Sequence, residues 1–269
     1  MMRTKYETID IYHDKPIPNG IDTLLVYAAN EYGSATSIAA KGILGDRQPD
    51  ARIVTHLITN TIFNQTVDFE DIGWELYFED NAAILCITNW PATPIVPLEE
   101  AERTWIYAYP PTRDTLEWLI NNVGVESVTY ISSTTIHNVL DSDIFKTYEP
   151  NELIHYDFIE DNHRLRLAQK EDTLFLSPPT WLFGHLSKLM GLSKSQVLMS
   201  GHDSEKKIDR VAADTLSKWL ESNMNLKYNQ HYANEFIEVL EKRHSNNEII
   251  TKKISDMMAE SEPNQMLWG

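Results

Sequence analysis

Thr23-Leu24-Leu25-Val26-Tyr27-Ala28 is β-prone and apolar at both alternating sets of positions, so a strand formed there has no face to offer water. Such a strand must be covered on both sides, which is the situation of strands in sheets built with crossover helices. Asn30-Glu31-Tyr32-Gly33 then reads as a tight turn, and the small residues Ser34 to Lys41 as a helix. Runs of similar character recur at 52–58, 82–88, 127–132 and 195–200. Helical patterns separate them. Thr112 is placed to cap a helix bearing Leu116, Leu119, Ile120 and Val123, with Gly124 as its left-handed exit. Residues 180–190 are apolar around much of their circumference and stop at Gly191, which predicts a buried helix. Residues 204–224 form an amphipathic pattern, with Asp203 or Ser204 as the cap. Strands alternating with helices predict a three-layer α/β/α architecture with a mostly parallel sheet. Short runs at 75–78, 165–167 and 173–176 read as added hairpins or edge pieces.

The rhythm changes near Tyr228. Residues 231–243 and 248–258 read as helix, with Ser245-Asn246-Asn247 as a bend or interruption, and Pro263 stops any continuation. The expected organisation is an α/β core domain over 1–228, a C-terminal helical appendage over 229–258 and a flexible tail over 259–269. That tail, Ser-Glu-Pro-Asn-Gln-Met-Leu-Trp-Gly over 261–269, is polar and proline-broken until it reaches two large apolar side chains and a carboxylate.

Charge narrows the function classes. Twenty-three Lys and Arg against 40 Asp and Glu give a formal charge of −17, which repels polyanions and argues against nucleic acid and anionic membrane as partners. A basic protein surface is compatible with it. No apolar run approaches the ~18 residues of a membrane span, so a cytoplasmic location is expected. Cys86 lies in an apolar run and reads as a buried, inert thiol. The nine histidines show no metal-binding spacing. Asn64-Gln65-Thr66 matches the glycosylation tripeptide by chance in a chain read as cytoplasmic.

Ligands of open α/β sheets bind where strands end and helices begin, and there the chain holds Ser34, Ser133 and His202. The turn at Ser34 has a single glycine and neither the dinucleotide fingerprint nor the phosphate-loop lysine, so Ser34 reads as a helix cap. Gly-x-Ser-x-Gly is absent. His202-Asp203 has the composition of a general-base pair, although adjacent side chains seldom face one another. Trp90 to Pro97, with three prolines, reads as a stiff loop over a strand end, and Glu99, Glu100 and Glu102 as the solvated first turn of a helix. None of these is a strong catalytic signature, so the chain is expected to be noncatalytic, with no cofactor and no metal.

Four stretches carry a resemblance to a known family: 24–44 (LLVYAANEYGSATSIAAKGIL), 116–133 (LEWLINNVGVESVTYISS), 181–201 (WLFGHLSKLMGLSKSQVLMSG) and 209–229 (DRVAADTLSKWLESNMNLKYN). Over roughly 20–228 the chain resembles the proteasome assembly chaperone family, in its prokaryotic, archaeal branch. The resemblance implies a fold similar to that of nucleoside phosphorylases, a homo-oligomer, and noncatalytic binding to α subunits of the 20S proteasome. Some members of that family carry a C-terminal hydrophobic-Tyr-any tripeptide that inserts between α subunits, and the matching positions are Leu267, Trp268 and Gly269. Trp268 departs from the pattern, because an indole is larger than a phenol and lacks its oxygen. The first βα turn departs too, being less glycine-rich than is usual in the family. A mobile chain end with an apolar residue, an aromatic and a carboxylate suits groove-and-lysine recognition, and several tails on one oligomer add avidity. The rival class is a phosphorylase-like enzyme acting on a nucleoside or related metabolite with Ser34, Ser133 and His202 at the strand ends.

Overall fold

In the computed structural model the described residues are 1–28, 34–55, 58–60, 65–67, 73–79, 82–87, 101–135, 153–161, 164–167, 178–202 and 208–261. Ten strands form one sheet: β1 (Met2–Lys5), β2 (Ile9–His13), β3 (Thr23–Ala28), β4 (Ala51–Thr55), β7 (Gly73–Phe78), β8 (Ala83–Ile87), β9 (Ser127–Thr135), β10 (Leu153–Asp161), β11 (Arg164–Leu167) and β12 (Lys194–His202). β5 (Ile58–Asn60) and β6 (Gln65–Val67) make a separate antiparallel pair. The strand order is β1-β2-β4-β7-β8-β3-β9-β12-β10-β11.

The expected mostly parallel sheet is a mixed one. β3 pairs in parallel with β8 and β9, and β9 with β12, while every other pairing in the large sheet is antiparallel. The difference follows from the residue pattern. Leu24, Leu25 and Val26, like Ala83 to Ile87 on β8, are buried on both faces. In the wing formed by β2, β4 and β7, Ile9, Ile11, Ile53, Trp74 and Leu76 are buried in one core, while Arg52 and Glu75 alternate with them on the opposite side. Strands buried on both faces need crossover helices, whereas alternating strands can present one face to water.

Among the described residues five α-helices cover the sheet: α1 (Ala35–Leu44), α2 (Ala101–Trp118), α3 (Pro178–Leu189), α4 (Arg210–Met224) and α5 (Gln230–Ser261). Alternation along β3 assigns the layers. Leu24 and Val26 join α2 and α3 in one core, and Leu25 and Tyr27 join α1, α4 and the start of α5 in the other. Trp74 from β7 meets Phe183 from α3 with ring centroids 5.8 Å apart. The α/β/α layering is therefore present.

Several local expectations are corrected. Thr112 caps nothing, since α2 begins at Ala101 and runs through Pro110 and Pro111, leaving Thr112 fully buried inside it. α2 ends in a π turn over Leu119–Val123, closed by Gly124 at φ 93° with its N–H donating to the Leu119 carbonyl. Asp209, not Asp203 or Ser204, caps α4: its carboxylate accepts from the Ala212 N–H at 3.0 Å. α5 is one unbroken helix, so Ser245-Asn246-Asn247 does not interrupt it. Strands β1, β2, β6 and β10 carry no expectation from the sequence, β11 extends the run foreseen at 165–167, and the run foreseen at 173–176 lies outside the described residues.

Tight packing joins α5 to α1. The chain leading into α5 passes over Gly42, whose carbonyl accepts from the Asn229 N–H at 2.8 Å, and the Tyr228 ring occupies the space a side chain at 42 would need. Tyr232 does the same over Gly45, at φ 60°. Ala233 and Ile237 are buried at this junction, and Arg210 Nη2 on α4 pairs with Glu241 Oε1 at 2.8 Å.

Candidate functional site

The parallel centre of the sheet places several elements at one carboxyl edge. β9 and β12 run side by side, with Ser133 opposite Ser200 and His202 opposite Thr135, so the backbones of Ser133 and His202 both lie near that edge. Ser34 follows β3 and opens α1. The expected cap at Ser34 is corrected: its side chain makes no capping bond, and its backbone adopts the left-handed conformation at φ 55°, ψ 14°. A non-glycine residue held there costs of the order of 1 kcal/mol. Whether the three side chains converge depends on the side chains of Ser133 and His202, which lie outside the described residues, as do Trp90, Glu99, Glu100, Asp203 and the tail triplet Leu267, Trp268 and Gly269. Glu102 lies on α2, its side chain likewise undescribed.

Beside Ser34 the chain forms a cleft of about 650 Å³. Its floor belongs to the sheet. Register sets Arg52, Glu75, Cys86 and Tyr27 in a row across β4, β7, β8 and β3, and Tyr77 follows Glu75 on the same side of β7. One wall is α1, with Ser37, Lys41 and Leu44, and the opposite wall is α5, with Phe236, Leu240, Arg243 and His244. A chain of net charge −17 thus turns Lys41, Arg47 and Arg243 toward a space that holds Glu75 as its carboxylate.

These charges are not equally engaged. Lys41 Nζ donates to the Gly45 carbonyl at 2.6 Å and to Asp46 at 2.7 Å. Arg47 is held by Asp50 at 2.9 Å and by Glu79. Glu75 Oε2 accepts from the Tyr77 hydroxyl at 2.7 Å and stands opposite Arg52 across the strand pair. Arg243 makes no ion pair or hydrogen bond among the described residues.

Burial dominates the titration of the floor. The Cys86 thiol is pushed up to about 12 by desolvation, which outweighs the opposing contact with Tyr27, so it stays protonated and non-nucleophilic at neutral pH, as its apolar run implied. Burial also lifts the phenols of Tyr27 and Tyr77, the latter with help from its bond to Glu75. Among the described residues Tyr27, Tyr77 and Cys86 of the floor are neutral donors, beside the engaged carboxylate of Glu75 that faces Arg52. Among the described residues no group of three or more His, Cys, Asp or Glu side chains is placed to hold a metal ion, and no helix is long and apolar enough to cross a membrane.

The sequence reading found Ser34 but not the rest of this cleft. A signal was present: Phe236, Leu240, Arg243 and His244 recur at 4, 7 and 8 positions from the first, one helical face that turns from apolar to cationic. Its partner pattern, Glu75 and Tyr77 alternating with Trp74 and Leu76, marks the polar face of β7.

No family model and no curated protein matches the sequence. Solved structures do match. The Pyrococcus furiosus archaeal proteasome activator PbaB superposes with a TM-score of 0.52 at 11% identity, over 93% of this chain and 100% of the other. PbaA of the same organism, an archaeal homologue of proteasome-assembly chaperone, gives 0.52 at 14% identity, over 87% and 94%. A Mycobacterium tuberculosis protein of unknown function gives 0.51 at 14% identity, over 97% and 92%. At these identities what is common is the path of the chain, and the resemblance found in the sequence has a structural counterpart: the protein has the fold of the archaeal proteasome-assembly chaperone homologue PbaA and of the proteasome activator PbaB.

Proposed function

We propose that this protein is a noncatalytic assembly chaperone or regulator of the 20S proteasome, acting in the cytoplasm as a homo-oligomer that binds α subunits of the α ring. The observation that carries this reading is the likeness to PbaB and PbaA along nearly the whole chain, joined to the sequence resemblance at 24–44, 116–133, 181–201 and 209–229. A fold alone does not assign a function, so the site must supply the rest. Leu267 and Trp268 offer apolar surface for a groove between subunits, and Gly269 fills the last position of the tripeptide pattern. A single short tail loses much of its contact energy to ordering, whereas several on one oligomer act at raised effective concentration, with gains of ~100-fold or more. In this reading 1–228 is the core, 229–258 the helical appendage and 259–269 the tail that it presents, of which 259–261 still belong to α5.

The experiment is a pull-down of purified α rings by the full chain and by a variant lacking 267–269. Retention by the full chain and its loss in the variant is the expected result. Equal retention defeats the tail assignment, and no retention by either chain defeats the proteasome reading itself.

A further inference from the structure

The cleft between α1, α5 and the β3-β8-β7 floor has the dimensions and chemistry of a small-molecule site, independent of any contact the tail makes. Its volume of about 650 Å³ lies within the ~300–1,000 Å³ usual for such sites. Apolar surface comes from Leu44, Phe236 and Leu240, and hydroxyl donors from Ser34 and Ser37 at the end of α1. The strained Ser34 backbone sits at this rim, and strain of that kind concentrates where ligands are held.

Charge decides the ligand class. Lys41 and Arg47 are already neutralised by carboxylates of the body, and Glu75 is engaged by Tyr77 and faces Arg52. Among the described residues that leaves Arg243 as the lining arginine or lysine without a carboxylate partner, two helical turns along the α5 face from Phe236 and next to His244. A guanidinium presents a planar fork of donors, which matches a carboxylate, sulfonate or phosphate and not a neutral polar group. We infer that this cleft binds an amphiphilic organic anion, its flat apolar body on Phe236 and Leu240 and its anionic group on Arg243. A cationic ligand is disfavoured by the charge of Arg243. A wholly apolar ligand leaves Arg243 without a counter-ion.

Two fluorescent probes of one shape test the assignment: 8-anilinonaphthalene-1-sulfonate, which is anionic, and N-phenyl-1-naphthylamine, which is neutral. The full chain should bind the sulfonate saturably at one site per chain and more tightly than the amine. Arg243→Gln should weaken the sulfonate by about tenfold, with Arg243→Lys in between, and leave the amine unchanged. This side chain is exposed, so neither variant should shift the thermal midpoint. Leu240→Trp, which fills the cleft, should abolish binding of both probes while retaining the parent far-UV spectrum. Absence of saturable binding overturns the inference, as does sulfonate affinity indifferent to Arg243→Gln. Should Leu240→Trp unfold the chain, the Arg243 pair of variants decides alone.

Discussion

Gly42→Ala probes the junction that fixes α5 on the body. A Cβ built at Gly42 would stand 1.9 Å from Cε2 and 2.4 Å from Cδ2 of the Tyr228 ring. Both lie far inside van der Waals contact, so the ring or the helix must move. Retreat of the backbone is opposed by the bond from the Asn229 N–H to the Gly42 carbonyl at 2.8 Å, one residue beyond that ring. Overpacking of this kind costs ~1–3 kcal/mol. Alanine in a helix interior recovers ~1 kcal/mol of propensity over glycine. With the backbone beside the ring tied to Gly42, the upper part of the first range applies, and the net loss is about 1–2 kcal/mol. Urea denaturation followed by circular dichroism measures it. The double-mutant cycle with Tyr228→Ala isolates the cause: without the ring the propensity gain stands alone, and Gly42→Ala becomes neutral or stabilising. The reasoning is refuted if Gly42→Ala is as stable as the parent while Tyr228 is present, or if the two substitutions add.

Asp209→Ala removes the cap of α4 and should cost about 1–2 kcal/mol, with Asp209→Asn restoring most of it because an amide oxygen also accepts from the Ala212 N–H; equal loss in both variants, read from urea midpoints, contradicts a capping role. Stability should fall as pH rises above about 8.5. An unfolded thiol releases its proton near that pH, while Cys86 folded holds it up to about 12. The unfolded state thus binds fewer protons through this window, and the loss approaches at most ~1.4 kcal/mol per pH unit for one group. The raised phenols of Tyr27 and Tyr77 act in the same direction at higher pH. Urea midpoints at pH 7.5, 9 and 10 should decline more gently in Cys86→Ala, and parallel declines contradict the assignment to Cys86.

What the sequence revealed and what it concealed divide along one physical line. β3, β8 and β12 were legible because apolar residues follow one another in their runs, β9 because of its β-prone Val128, Thr129, Tyr130 and Ile131, and α4 because its apolar residues recur with helical spacing. Strands β1 and β2 were not. Ile9 and Ile11 are two apolar positions among Asp10, Tyr12 and His13, and their burial depends on α2 and α3, elements remote in sequence. Thr112 reads locally as a helix start, yet α2 already runs through Pro110 and Pro111 into the Leu116, Trp118 and Leu119 packing that anchors it. Pairing direction was hidden for a related reason, since whether a strand joins its neighbour parallel or antiparallel depends on connections. The cleft suffered most: Tyr27, Cys86, Glu75 and Arg243 come from four elements, and only the folded register sets them together.

The same change of strand direction accounts for the cleft's existence. Parallel neighbours require crossovers, so the centre of the sheet brings its own covering helices, with α1 following β3 and α4 following β12. Beyond β8 the neighbours are antiparallel, and among the described residues the wing of β7, β4 and β2 supplies no helix to the face bearing Arg52, Glu75 and Tyr77. α5, arriving from the other end of the chain, leans over the boundary, where its main packing among described elements is against α1. A gap between α1 and α5 above β7 and β8 is the geometric consequence. Because both walls must stay in place for a ligand to bridge them, any ligand that does so favours the docked state of α5 by RT ln(1 + [L]/Kd), about 2.7 kcal/mol at a hundredfold excess over Kd. Saturating 8-anilinonaphthalene-1-sulfonate should accordingly slow amide exchange at Ala233 and Ile237, the buried α5 residues at that junction, and unchanged exchange there would separate cleft occupancy from α5 docking.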